Sequence, residues 1–347
     1  MKTPRTTPPR PLDVTALFPQ LAPLARTVTR LHPRPASPTP TPRDSSVGGP
    51  LLWPADEPWP YCDRLHTWDG MNPILSPDDV RSQRRIRAAV DSRLRVDPNL
   101  PPSAYCTPEE RAELDRIKAG RPWPEGPVPL LPVAQLYVRD VPGLPAPAGA
   151  DLLQVLWCPF DHPPENFMPR TVLFWRSEAT ITDVLAAPPE PPAVQFDDYV
   201  PEPCLLAPEQ VTEYPHSLEL SMELRGQIED WSSWQAAEPA VDDAYASYPQ
   251  EFYDTALSVA PGWKVGGWAP WGLTDPVPRS CPACATEMVP LLTIATFEWD
   301  DSTRSWIPDE AAPAPTRPTA VQIGRGYKQQ LYVCPAAPEH PHTELMQ

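Results

Sequence analysis

Apolar residues in this chain fall into short runs cut by proline, and few stretches keep a helical period. Over 12–32, "LDVTALFPQLAPLARTVTRLHP" sets Leu17, Leu21, Leu24, Val28 and Leu31 at helical spacing. Pro19 and Pro23 fall inside it, so the spacing predicts a broken or kinked helix. "SPDDVRSQRRIRAAVDSRL" and "TPEERAELDRIKAG" predict two charged helices. In the second, Thr107 is the N-cap, Pro108 opens the helix, Glu110 completes a capping box and Gly120 stops it. Strands are predicted in "VPLLPVAQLYVRDVP" (128–142), "DLLQVLWCPFDHPP" (151–164), "TVLFWRS" (171–177) and near 202–215. Helices follow at about 217–235 and 248–259, with Trp231 and Trp234 facing the core. "MVPLLTIATFEWDD" (288–301) and "QQLYVCPAAPEHPH" (329–342) carry the last strands, and "QIGRGYK" (322–328) reads as a tight turn.

These blocks recur. "SVGGPLLWPADEPWPYCD" (46–63) and "KVGGWAPWGLTDPVPRSCPAC" (264–284) share Val-Gly-Gly, then Trp and Pro, then an acid before Pro, then Cys. Each is followed by a Val-Pro-Leu-Leu phrase, at 128–131 and 289–292. Each half then has a strand ending in Cys-Pro with a His beyond it. Three collinear blocks imply an internal duplication, with a helical insertion over 63–127 in the first copy. The expected fold is α+β, a duplicated, mostly antiparallel β-sheet core with peripheral helices. Residues 1–45 are read as a tail, a broken helix and a Pro-rich linker, and 46–347 as a single duplicated domain. Its first half is 46–177, its connector 178–262 and its second half 263–342. In each half Gly-Gly permits positive φ at a tight turn, and the Trp-Pro pairs cover an edge or end of the sheet.

Composition changes this picture in two ways. The chain holds 56 prolines in 347 residues, about three times the usual share, which favours short elements. Its net charge of −17 is uneven. Residues 1–43 carry seven Lys/Arg and only Asp13, while 177–262 hold 17 Asp/Glu against Arg225 alone. The acidic segment repels phosphate backbones and suits a basic protein partner or plain solubility, so nucleic-acid binding is disfavoured. No apolar run has transmembrane length and no signal peptide is evident, so no membrane is expected and the chain reads as cytoplasmic.

"KVGGWAPW", "CPAC", "MVPLLTI" and "LYVCPAAPEHP" together resemble programmed cell death protein two and its eukaryotic relatives. The layout with "VGGPLLWPADEPWP" and "PLLPVAQLYV" is similar to the bacterial YwqG-like family of unknown function. The likeness covers 46–62 and 128–342. The eukaryotic Met-x-x-Leu-Leu-Gln phrase ends here in Thr293, whereas the first half keeps the Gln as Gln135. The resemblance implies a non-enzymatic protein-binding role: a chaperone for a ribosomal protein, or an immunity protein against a toxin. An acidic body suits either partner, since both are basic.

Cysteine and histidine carry the candidate chemistry. Cys281 and Cys284 form a Cys-x-x-Cys, with Cys334 and His340 following and His342 as the alternative fourth ligand; this is the expected zinc set. Cys62, His66, Cys158 and His162 occupy matching places in the first half, with a weaker spacing signal. The competing reading is reduced thiols at strand ends. Seven cysteines in a long chain do not suggest a disulfide framework. Cys106 and Cys204 have no partner pattern. No phosphate-binding loop, dinucleotide fingerprint, nucleophile elbow or zinc-protease helix occurs. The alternative function is a thiol-dependent hydrolase or other enzyme using Cys158 or Cys334 with His162 or His340.

Overall fold

Short apolar runs bounded by proline become strands, and the strands build two antiparallel sheets of six in an α+β fold. A computed structural model describes residues 7–35, 38–67, 73–163, 167–237, 243–309 and 315–347. Part of the expected tail (1–6), linker (36–37), acidic segment (238–242) and late Pro-rich loop (310–314) lies outside them. One sheet runs, in spatial order, β10 (Glu209–Glu213), β1 (Arg26–Arg30), β11 (Lys264–Gly266), β12 (Val289–Ala295), β13 (Lys328–Val333) and β14 (Thr343–Met346). The other runs β2 (Arg34–Pro35), β9 (Cys204–Leu205), β3 (Ser46–Val47), β6 (Leu131–Tyr137), β7 (Leu152–Trp157) and β8 (Thr171–Arg176). One contiguous apolar core draws on both sheets, from Val47, Val133, Val155 and Trp157 to Val265, Leu291, Ile294 and Val333.

The two sheets match strand for strand. Ser46 and Val47 pair with Gln135 and Ala134 as Lys264 and Val265 pair with Thr293 and Leu292. A bulge interrupts β6 between Pro132 and Ala134, and β12 between Pro290 and Leu292. Gln135 then faces Gln154 as Thr293 faces Gln330. This register corrects one expectation. The Val-Pro-Leu-Leu phrases are displaced by three residues in the fold: Pro132, not Pro129, is the counterpart of Pro290. Val128–Pro129 is a separate short strand, β5, paired with β4 (Tyr61–Cys62). Cross-strand partners set the equivalence, and letter matching in a Pro-rich chain does not see them.

The N-terminal residues are also more integrated than a tail and linker. Only Val14–Leu17 is α-helical (α1), and Pro19–Leu24 is a 3-10 turn. β1 lies inside a sheet, between β10 and β11, where the β-branched Thr27, Val28 and Thr29 fit a pleated surface. The chain then crosses to the other sheet as β2. Residues from the expected connector make the mirror-image crossing, from β9 to β10. The insertion forms the two expected helices, α2 (Pro77–Val96) and α3 (Pro108–Lys118). Thr107 and Glu110 close the capping box, and Gly120 follows at φ +73°. Asp79 of α2 joins them through Arg116 and Arg121 at 2.6–2.8 Å, which holds its carboxyl well below the usual range, Arg121 most of all. Further on, α4 (Met222–Glu229) and α5 (Pro249–Phe252) pack with α1 around Phe18, Trp234 and Phe252. Trp234 is buried as expected.

The Lys-Val-Gly-Gly phrase has a specific reason. Lys264 and Glu213 are fully buried and pair at 2.6 Å. Glu213 also accepts from the backbone N–H groups of Ala260 and Trp268 at 2.8 Å each. Lys264 donates to the Trp268 carbonyl at 2.9 Å. Gly267, at φ +77°, lies so close that a Cβ would sit 2.2 Å from a Glu213 oxygen. In the first half it is Gly48, the register counterpart of Gly266, that makes the close approach: at φ +62° its Cβ would meet the Pro201 carbonyl at 2.8 Å. Burial alone pushes the Lys264 ammonium pKa down, so the pair stands only while both partners are present. Glu213→Gln should therefore cost about 3–5 kcal/mol in urea unfolding, and the double variant Glu213→Leu with Lys264→Met should cost less than either single change.

Candidate metal centres

In the second half a tight knuckle follows the Pro-rich turn. Ser280 bridges Glu287, and the N–H of Cys281 donates to the Thr286 carbonyl at 2.8 Å. Ala285, at φ +60°, completes the turn. This folds Cys281 and Cys284 toward the end of β13, where Cys334 leaves the sheet and His340 follows. Cys281 Sγ lies 3.5 Å from His340 Nδ1, and Cys284 Sγ lies 3.5 Å from Cys334 Sγ. The last distance is far from a disulfide's, and none of the seven cysteines is in a disulfide. His342, the alternative ligand, is elsewhere: its Nε2 meets Thr171 Oγ1 at 2.9 Å.

The first half has the same frame. Leu130 N–H donates to the Pro60 carbonyl as Met288 N–H donates to that of Arg279. Tyr61 pairs with Pro129 as Ser280 bridges Glu287. Between these anchors lie 281–286 in one half and 62–128 in the other, so the helical insertion occupies the knuckle itself. His66, at its start, takes the place of Cys284. Cys158 Sγ lies 3.3 Å from His66 Nε2, and Cys62 Sγ lies 3.7 Å from His162 Nε2. His162 Nδ1–H donates to the Leu65 carbonyl at 3.1 Å, which leaves Nε2 as the lone-pair nitrogen. His66 packs against Phe160 and Trp123.

Both sets therefore converge. In Cys62, His66, Cys158 and His162, and again in Cys281, Cys284, Cys334 and His340, the four ligand atoms lie within 4.8 Å of one another, and each set could hold a metal ion. The second cluster is the one with the stronger spacing signal. The first is equally well assembled, because the fold, not the spacing, brings His66 to it.

The thiols behave as neighbours sharing protons. Contact with Cys158 lowers the pKa of Cys62, and the same contact, together with burial, raises that of Cys158. Hydrogen bonding from Thr286 brings exposed Cys284 down to about 6, while burial pushes Cys334 up. A cation would relieve both pairs at once. The Cys–His pairs expected for a thiol enzyme are replaced by others. Cys158 meets His66, not His162, and Cys334 meets Cys284, not His340. Asp161 accepts from Tyr199 Oη at 2.7 Å. Cys204 is buried against the Pro318 carbonyl, and Cys106 lies in the insertion at intermediate exposure.

No protein-family model matches the chain, and no curated protein matches it. Among the described residues no helix is long and apolar enough to cross a membrane. The carbonyl of Leu65 and the hydroxyl of Thr286, which support the ligands, had no sequence signal: one is backbone and the other a common turn residue. In chelator-treated protein, Cys284 should be alkylated first and Cys158 and Cys334 last, an order that peptide mass spectrometry reads directly.

Proposed function

We propose that this chain is a non-enzymatic, partner-binding protein whose two halves are each stapled by a structural zinc ion. One observation carries the zinc: each half gathers four thiol or imidazole donors within 4.8 Å of one another, with two contacts in each set at tetrahedral edge length. Zn–S and Zn–N bonds of about 2.3 and 2.0 Å imply ligand–ligand edges of about 3.3–3.8 Å. The contacts of 3.3, 3.5, 3.5 and 3.7 Å match them. Thiolate with imidazole suits zinc, and four protein ligands leave no coordination position open, the mark of structural sites. Cys334 and His340, or Cys158 and His162, would tie the end of a central strand to the knuckle. The protein as purified should contain close to two zinc ions per chain. Cys158→Ser and Cys334→Ser should each remove one and lower the melting temperature; fewer than one zinc in untreated protein would sink the reading.

The partner reading draws on the order of motifs shared with YwqG-like proteins and their eukaryotic relatives, and on charge. Much of the acidic segment is neutralised within the fold. Glu178 pairs with Arg43 and Arg139, Glu190 with Arg81, Asp198 with Arg317, Glu202 with Arg84, and Glu213 with Lys264. Glu223, Glu229, Asp230 and Glu251 remain exposed around α4 and α5, beside Met222, which is 91% exposed. This patch is our docking face for a basic partner, a toxin or a ribosomal protein. Reversing Glu223, Glu229 and Asp230 to Lys should abolish capture of basic proteins from native lysate, as should raising the salt to about 0.5 M. Capture indifferent to both would refute the electrostatic face.

A further inference from the structure

The duplication allows each half to be compared with the other. Leu51, Trp53, Leu130 and Leu156 of the first half correspond to Ala269, Trp271, Met288 and Tyr332 of the second, and each group forms an apolar cluster beside its Cys/His set. In the first half the chain fills this cluster itself. Trp59, from Pro58-Trp59-Pro60, is 6% exposed and packs on Trp53 with ring centroids 4.9 Å apart. Its N–H donates to the Leu130 carbonyl at 3.0 Å, and the Trp53 N–H donates to that of Glu57 at 3.2 Å.

In the second half the turn with the same letters is Pro276-Val277-Pro278, one residue further from the anchor, since Arg279 holds the place of Pro60. Val277, 47% exposed, lines a cleft of about 380 Å³ that opens in front of Trp271, Met288 and Tyr332. Ala269 for Leu51, Leu345 for Phe174 and Val277 for Trp59 each remove bulk. The polar groups here lack what the first half supplies. Trp271 Nε1, Tyr332 Oη and Arg279 Nε are buried without a hydrogen-bond partner, as is Glu219 Oε2. Burial raises the Glu219 carboxyl pKa and the nearby Trp271 indole offsets part of that rise, yet the two are not in hydrogen-bond geometry. Native interiors rarely leave so many polar atoms unmet in one place.

We infer that this cleft binds an extended segment of a partner protein that presents a proline-flanked aromatic residue, in the manner of Pro58-Trp59-Pro60. The unmet groups are mostly donors, and a proline-flanked backbone is rich in carbonyl acceptors and poor in N–H groups. Aromatic walls with indole and phenol donors suit such a chain, because an extended proline-bearing segment has no internal hydrogen bonds to break. Arg26, stacked 3.4 Å from the centroid of Trp268, closes one side of the cleft and offsets the acids there, so the occupant need not be charged. The inference rests on the partner-binding reading but uses a surface distinct from the acidic patch.

Fluorescein-labelled peptides test it by anisotropy with the full chain: a copy of residues 56–61, Asp-Glu-Pro-Trp-Pro-Tyr, and the same peptide with Ala for Trp. The Trp peptide should bind at least tenfold more tightly. Tyr332→Phe, which keeps the ring, should weaken it about fivefold, the value of one hydrogen bond. Val277→Trp should fill the cleft from within, abolish binding and raise the melting temperature. Equal binding of the two peptides, or binding unchanged by Tyr332→Phe, overturns the proposal. Peptide binding without capture of basic proteins would leave the cleft standing and remove the acidic docking face; the reverse result would do the opposite.

Discussion

Neither half of the repeat can complete its own sheet. β3 and β11 end within two or three residues at the Gly-Gly turn, and on their far side lies a row of backbone groups that must be paired. The solution is reciprocal. β1 supplies the missing neighbour of β11 and β9 that of β3, and each then continues across to edge the other sheet as β2 or β10. Every other feature of the core depends on this exchange. It puts Glu213 of β10 next to Lys264 of β11's phrase, it forces the close approach that only Gly267 allows, and it makes the two sheets share one apolar core.

The duplication also explains the Cys/His clusters. Each sits where the Pro-rich turn re-enters the sheet and where β7 or β13 leaves it. Cys158 and Cys334 directly follow β7 and β13, and Cys62 and Cys281 lie in the turn anchored beside the start of the neighbouring strand, so a knuckle thiol and a strand-end thiol meet. The insertion in the first half enters at the knuckle without disturbing its anchors, because Leu130 N–H still reaches the Pro60 carbonyl. It brings its own member of the cluster, His66, and its own apolar cover, Ile74 and Trp123. The uninserted half has less cover, and there the cleft and its unmet polar atoms lie.

Much of this was legible in the residues. Capping at Thr107 and Glu110, the turn at 322–328 and the buried strands are local effects of propensity and pattern, and they appear where the pattern puts them. All eight Cys/His ligand positions were visible as a repeated pattern. The choice of His340 over His342 was not, since both follow Cys334 closely and only the path of the chain past Thr171 separates them. The strand at 26–30 was hidden beneath a helical period that Pro19 and Pro23 already weakened.

The sequence by itself determined the duplication, the α+β class and the residues available to a metal, because these follow from composition, period and spacing along one chain. The tertiary structure decided which letters are equivalent, that the end of an apparent broken helix lies inside a sheet, and that both clusters close rather than one. Those outcomes depend on cross-strand register and on burial against distant residues. A buried Lys seeking Glu213, or a Gln seeking its partner across the sheet, selects them through contacts between residues tens to more than a hundred positions apart.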